Sequence, residues 1–186
     1  MSLVEPRGGD GAGVPVPIPA PGSVRVGILS DTHGWFHPEL PRYLTDCDLI
    51  LHAGDVGSPE VIERLEEIAP LRVVRGNIDG PYLKRPLPLH DRFEVAGVRF
   101  WMTHIAGRPG RWTGAMGPGL RDDPPDVLVC GHSHILCIER VPHLGGMLFL
   151  NPGAAGRQGF HQVKTCVILH LEGNKATRAD VVHLDP

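Results

Sequence analysis

Short apolar runs, each cut off by a polar or glycine-bearing break, set the pattern of this chain. Residues 23–29 (SVRVGIL) read as a first strand that stops at Ser30-Asp31. Residues 47–52 (CDLILH) form a second run, broken at Ala53-Gly54-Asp55, and residues 71–74 a third, ending at Arg75-Gly76-Asn77. Residues 38–44, between the first two, suit a short helix. Ahead of the third run, Ser58 is a good N-cap with Pro59 at the first helical position. Val61, Ile62, Leu65, Ile68 and Ala69 then share one helical face, while Glu60, Glu63, Glu66 and Glu67 lie off it. A β-α-β-α-β order predicts a parallel sheet with helical crossovers.

After that the pattern changes. Residues 92–95 and 98–103 flank Gly97 like a hairpin. Further strands are expected at 127–130, 135–141, 147–150, 163–171 and 176–183, a more antiparallel arrangement. Residues 105–125 (IAGRPGRWTGAMGPGLRDDPP) are rich in glycine and proline and read as a long loop with room for one helical turn. A loop of that length in a compact domain is often functional. The first 22 residues, MSLVEPRGGDGAGVPVPIPAPG, cannot propagate a helix or a strand ladder, so a flexible tail is expected ahead of a single domain over 23–186.

Composition narrows the classes of function. At 186 residues and 41% hydrophobic content the chain suits one soluble domain with a substantial core. Lys and Arg number 18 against 21 Asp and Glu, a net charge of −3, so no broad basic surface for long nucleic acid is expected. A small phosphorylated ligand stays open, because a buried metal pair attracts anions without showing in the net charge. No segment reaches the length of a membrane span, and the tail lacks the basic and unbroken apolar regions of a signal peptide. A cytoplasmic location is the expectation. The four Cys (47, 130, 137 and 166) form no CxxC pair, and Cys130 and Cys166 lie inside apolar runs. They read as small buried hydrophobes in a reducing compartment rather than as disulfide or zinc partners. Eleven His, by contrast, are many for this length and hint at metal.

Metal-binding residue types recur where the apolar runs stop. Asp31 and His33 follow the first, Asp55 the second and Asn77 the third; His104 closes 98–103, and His132 and His134 follow 127–130. Ligands of open α/β sheets gather beyond the carboxyl ends of strands, so these positions are expected at one edge. Glycines beside them (Gly34, Gly54, Gly76 and Gly131) permit tight turns and close backbone approach. Each pair alone is an ordinary turn signal. The ordered set, every member at a strand end, is the specific observation.

Asp31-x-His33, Gly54-Asp55, Gly76-Asn77, His104 and Gly131-His132-x-His134 together resemble the calcineurin-like metallophosphoesterases, within them the small single-domain phosphodiesterase branch of bacteria and archaea. The resemblance runs from about residue 24 to 183 and includes the phrases GILSDTHG, LILHAGDV, VRGNID, VCGHSH and LNPGA. It implies an α/β fold built as a β-sandwich, two mixed sheets flanked by helices. It also implies two divalent metal ions: Asp31, His33 and His134 on one, Asn77, His104 and His132 on the other, with Asp55 bridging. Manganese is the ion the resemblance favours; the mixed N/O donors also suit nickel, iron, cobalt or zinc. Two such cations bring +4 against −2 from Asp31 and Asp55, so with a bridging hydroxide the site stays at +1 and electrophilic toward a phosphate anion. The implied activity is hydrolysis of small phosphodiesters by that hydroxide.

Some positions depart from the relatives. Phosphoprotein phosphatases follow Gly-Asn with a His that protonates the leaving group, whereas Ile78 and then Asp79 stand here. Asp79 is a candidate acid, but a structural carboxylate that orients nearby groups is the favoured reading. His104 opens His104-Ile105-Ala106-Gly107 where many relatives read His-Gly-His, so a second His near the substrate is absent. Arg75 stands where some relatives contact phosphate, or it is a solvent-exposed residue after a strand. His52 is expected to orient a neighbour. His37, His90, His143, His161, His170 and His183 read as structural or solvent-facing. Trp112 in the long loop is the aromatic expected nearest the substrate. Alternatives to diester hydrolysis are phosphomonoester hydrolysis and a protein-interaction scaffold, the use to which the retromer subunit puts this fold. A homo-oligomer is left open.

Overall fold

The computed structural model describes residues 22–114 and 116–184, so the tail expected over 1–22 lies almost wholly outside the described residues. Strands β1 (Val24–Leu29), β2 (Leu49–His52) and β3 (Leu71–Val73) alternate with helices α1 (Leu40–Leu44) and α2 (Pro59–Glu66). They pair in parallel, as β-α-β units require. Helix α2 begins where expected: the Ser58 hydroxyl accepts from the Glu60 amide, Pro59 occupies the first turn, and Val61 and Leu65 face inward.

A short helix α3 (Pro81–Lys84) follows, then β4 (His90–Val95) and β5 (Val98–Thr103). Ala96 and Gly97 turn this hairpin with φ of 48° and 74°, the left-handed backbone that matches strand twist. The remaining elements are β6 (Gly107–Arg108), β7 (Arg111–Trp112), α4 (Met116–Asp122), β8 (Val127–Val129), β9 (Cys137–Val141), β10 (Met147–Asn151), β11 (Lys164–Glu172) and β12 (Lys175–Leu184). The first sheet has the order β12-β11-β1-β2-β3 and the second β4-β5-β8-β10-β9, with β6 and β7 as a separate small hairpin. Both large sheets are mixed.

Strand alternation builds the layers. Val24, Val26 and Ile28 of β1, with Leu49 and Leu51 of β2, face Phe100 and Met102 of β5, Val127 and Val129 of β8, and Leu148 and Leu150 of β10. The odd set out, Leu29, Ile50, Cys166 and Ile168, packs under Leu40, Leu44, Val61 and Leu65 of the helices. On the far side Trp101, Leu128 and Phe149 pack with Met116 and Leu120 of α4. The result is helix, sheet, sheet, helix, with the period of two splitting each strand between two cores.

Two expectations need correction. The second half is less antiparallel than its pattern suggests, because β8 pairs in parallel with both β5 and β10. Residues 105–125 are also not a plain loop: they hold a hairpin and a seven-residue helix. Pro118 falls in the first turn of α4, where its missing N–H costs nothing, and Met116 and Leu120 give the helix a buried face despite the glycines. All four Cys are free; Cys47, Cys130 and Cys166 are buried and Cys137 half-buried.

Candidate metal centre

β1, β2 and β3 of one sheet and β5 and β8 of the other all end at one edge of the sandwich, and the loops that follow them are stitched together there. The Asp31 amide donates to the Gly54 carbonyl (3.0 Å) and the His33 amide to the Asp55 carbonyl (3.0 Å), joining the loops after β1 and β2. The Gly131 amide donates to the His104 carbonyl (3.1 Å), joining those after β5 and β8. The sheets meet where the His132 amide donates to the Asp31 carboxylate at 3.1–3.2 Å. Asp31 (φ 55°), His33 (51°), Asp55 (54°), His132 (68°) and His134 (58°) all hold left-handed backbone. Non-glycine residues rarely do so, and the two others among the described residues, Ala96 and Asn174, sit in hairpin turns. Such strain concentrates where side chains must be aimed at a common point.

The aimed side chains fall into two sets. Donor atoms of Asp31, His33 and His134 lie within 4.8 Å of one another, and so do those of Asp55, His104 and His132. In the first, His134 Nε2 is 3.2 Å from Asp31 Oδ1 and 3.2 Å from His33 Nε2. In the second, His104 Nε2 is 3.3 Å from Asp55 Oδ2 and 3.0 Å from Asn77 Oδ1. Asp55 belongs to the second set, but its charge also acts on His33, offsetting in part the burial that lowers that imidazole. Glycine permits the close packing: a Cβ on Gly76 would lie 2.0 Å from Asp55 Oδ1.

Hydrogen bonds behind the imidazoles fix which nitrogen faces the centre. A carbonyl can only accept, so His104 donates its Nδ1–H to Ala53 O (2.8 Å) and turns Nε2 inward. His161 likewise donates Nε2–H to Gly156 O (3.0 Å), leaving its Nδ1 to accept from His134 Nδ1 at 3.2 Å. His134 Nε2 is thereby left pointing at Asp31. Facing carboxylates, these inward nitrogens attract a proton. Burial pulls His104 down, but the hydrogen bond to Asp55 and the charges of Asp31 and Asp55 outweigh it, so the group is raised. His134 is raised mainly by its hydrogen bond to Asp31. Burial pushes the Asp55 carboxyl up, yet His104 and the Ile78 amide (3.0 Å) leave it lowered. A divalent cation in either set would replace that proton, since lone pairs of carboxylate, imidazole and amide already converge. The donor set therefore fits two metal ions.

The other expected residues are placed as follows. Asp79 is fully buried and faces the backbone: Oδ1 accepts the Gly57 amide (2.8 Å) and Oδ2 the Gly76 amide (2.7 Å). Both oxygens are engaged in holding the loops after β2 and β3. Arg75 turns Nη1 to the Lys84 carbonyl at the end of α3 (2.9 Å). His52 bridges both sets from behind, its Nδ1 accepting from Gly54 N (3.2 Å) and its Nε2–H donating to Thr32 Oγ1 (2.9 Å). Burial holds it neutral, its pKa lowered to about 4. Trp112 packs toward the core, its ring 5.8 Å from that of Phe149. His161 is the residue that sequence reasoning placed outside the site. It lies 27 positions from His134 on a loop without periodicity, and nothing in its neighbours marks it.

A helix-flanked double sheet gathers two candidate metal-binding Asp/His sets at its strand ends. Residues 24–174 match the calcineurin-like phosphoesterase superfamily domain, and the chain belongs to that superfamily. A probable metallophosphoesterase of Methanothermobacter thermautotrophicus is 34% identical over 134 residues, covering 69% of this chain and 76% of that protein. One from Methanocaldococcus jannaschii is 31% identical over 144 residues, 72% of this chain and 69% of that one. Vacuolar protein sorting 29 from Cryptosporidium parvum superposes with a TM-score of 0.68 at 23% identity, over 87% of this chain and 96% of that structure, a likeness of fold.

Proposed function

We propose that this protein hydrolyses small phosphodiesters at a dinuclear metal centre, with Asp31, His33 and His134 on one ion, Asn77, His104 and His132 on the other, and Asp55 between them. The observation that carries this reading is the convergence of two Asp/His donor sets from four strand ends, joined by Asn77 from a fifth. Two bound divalent ions, manganese foremost, would supply hydroxide near neutral pH and polarise the phosphoryl oxygens. The protein's own part is positional. Ala53 O and His161 hold the imidazole tautomers, the Ile78 amide fixes one Asp55 oxygen, and Asp79 ties the loops that carry Asp55 and Asn77.

Preference for a diester follows from what flanks the centre. Ile78, 46% exposed, and Ala106, buried at 1%, stand where some relatives carry imidazoles, and neither can give a proton to a leaving group. Asp79 is turned to the backbone. A site without an acid favours esters whose leaving group departs as a stable anion, such as a phenolate. The natural compartment is proposed to be cytoplasmic.

The test is to strip the protein of metal, reconstitute it with manganese, nickel, iron or zinc, and assay bis(4-nitrophenyl) phosphate against 4-nitrophenyl phosphate. Diester turnover above monoester is expected with at least one ion. Faster monoester turnover would overturn the subclass, and no turnover with any ion would leave the scaffold reading in its place.

A further inference from the structure

Beside the donor sets lies a cavity of about 490 Å³, within the size range of small-molecule sites. His132 belongs both to the Asp55 set and to the cavity wall, so the two are continuous. Ile105, Ile135, Cys137 and Phe149 give the wall an apolar character, and Ile135 is 68% exposed although it sits one residue after a candidate ligand. The polar groups of the wall are mostly engaged inward. The Asn151 amide donates to Gly131 O (2.7 Å) and Ser133 Oγ (3.1 Å), and its oxygen accepts the Gly153 amide (3.0 Å). Ser133 Oγ also accepts the Ile135 amide (3.3 Å), which leaves its O–H to face a ligand. Arg108, at the cavity in the β6–β7 hairpin, makes no side-chain hydrogen bond or ion pair among the described residues.

We infer that this cavity receives the retained arm of the phosphodiester, and that the arm is a flat, largely apolar aromatic group such as an aryl or nucleobase ring. The inference rests on the proposed phosphodiesterase activity and names its substrate class. An apolar wall removes an aromatic face from water, which favours binding in proportion to the area buried. The same wall would desolvate the anion that forms on a leaving group, so the neutral arm is the one it suits. Ser133 and Arg108 offer donors to acceptor atoms on the ring's edge, as a nucleobase carbonyl would present. A phosphomonoester has no second arm and would leave the cavity unused.

The experiment compares three diesters sharing a 4-nitrophenolate leaving group, with methyl, phenyl or thymidine-5′ as the other arm. In each the P–O bond to nitrophenolate breaks and the variable arm stays on phosphorus. The metal-reconstituted full chain is expected to show kcat/KM at least about tenfold higher for the phenyl or thymidine ester than for the methyl ester. Cys137→Trp, which fills the cavity, and Ile135→Ala, an exposed change, should each shrink that ratio. Calorimetric titration with the methyl esters of phenylphosphonate and methylphosphonate gives a readout independent of turnover, and the phenyl compound should bind about tenfold tighter. Thymidine outpacing phenyl identifies a nucleoside arm, and the reverse a simple aryl arm; either supports the inference. Equal turnover of methyl and aromatic arms, with both variants unchanged, would overturn it while leaving the phosphodiesterase reading intact. Loss of all diester turnover would instead overturn that reading, and the phosphonate titration would still decide the cavity.

Discussion

The Asp31 set and the Asp55 set draw on the same donor chemistry but are held in different ways. His104, in the Asp55 set, has a side chain only 1% exposed and is anchored by a backbone carbonyl at the end of β2. His134, in the Asp31 set, is 16% exposed and is anchored by another side chain, His161, which in turn rests on a loop carbonyl. His104 is therefore built into the strand frame and His134 depends on a relay through the 153–163 loop, while His132, the other imidazole of the Asp55 set, is exposed. Backbone anchors move only with the sheet, whereas a side-chain relay is as rigid as its weakest rotamer. The Asp55 set is expected to bind its ion more tightly and to survive perturbation better.

The change that should break both sets at once is Asp55→Ala. It removes the carboxylate that pairs with His104 and whose charge reaches His33. The expected loss in kcat/KM is at least about a thousandfold, with bound metal falling below two ions per chain by elemental analysis. Retention of both ions would refute the bridging role.

His52 joins the sets from behind, since Gly54 N and Thr32 Oγ1, its two partners, adjoin Asp55, Asp31 and His33. Its folded pKa of about 4 lies below the ordinary 6.5, so the unfolded chain binds the extra proton first. Stability from this group is therefore complete above pH 6.5 and falls as pH drops toward 4, by about 3 kcal/mol in total. His104 and His134 are raised and act in the opposite sense in the metal-free protein, their contribution being present below pH 6.5 and lost above their folded values. The contrast between wild type and His52→Asn isolates the term. Urea denaturation of metal-free protein from pH 4 to 7 should show a flatter curve in the variant, and parallel curves would contradict the buried neutral imidazole.

A smaller effect tests what ties the loops beneath the Asp55 set. Asp79→Asn places an NH2 against one of two backbone N–H groups, which should cost about 2 kcal/mol in unfolding free energy. The dependence of rate on leaving-group pKa should not change. A selectively steeper dependence in the variant would restore Asp79 as the proton donor.

The ligands of both sets could be read from sequence, but the outer support of His134 could not. Asp31, Asp55, Asn77 and His104 each stand just beyond an apolar run, so strand ends and ligands are found by one signal. The parallel pairing of β1, β2 and β3 was legible for a related reason, because a helix with an apolar face stands between each pair, α2 with its own Ser58 cap. What was not legible arises from tertiary packing. Helix α4 forms in a glycine- and proline-rich stretch because Met116 and Leu120 find Trp101 and Leu128 across the sheet. β8 lies between β5 and β10, an order no local pattern encodes. His161 reaches His134 through a loop whose course depends on the Pro152–Gly156 turn, so its partner is a matter of three-dimensional placement alone.

His161 therefore offers the finest test of the difference between the sets. His161→Phe keeps an aromatic ring, somewhat larger, but removes the acceptor that fixes His134 with Nε2 inward. Losing such an outer partner costs about tenfold in metal affinity at the set it supports. Calorimetric titration of metal-free protein with manganese should then show the weaker binding step shifted and the tighter step unchanged. His161→Gln, whose side-chain oxygen can still accept, should recover part of the loss, which a purely structural role for the ring would not predict. If both steps weaken together, the loop supports the whole centre rather than one ion, and the distinction between a strand-held and a relay-held set fails.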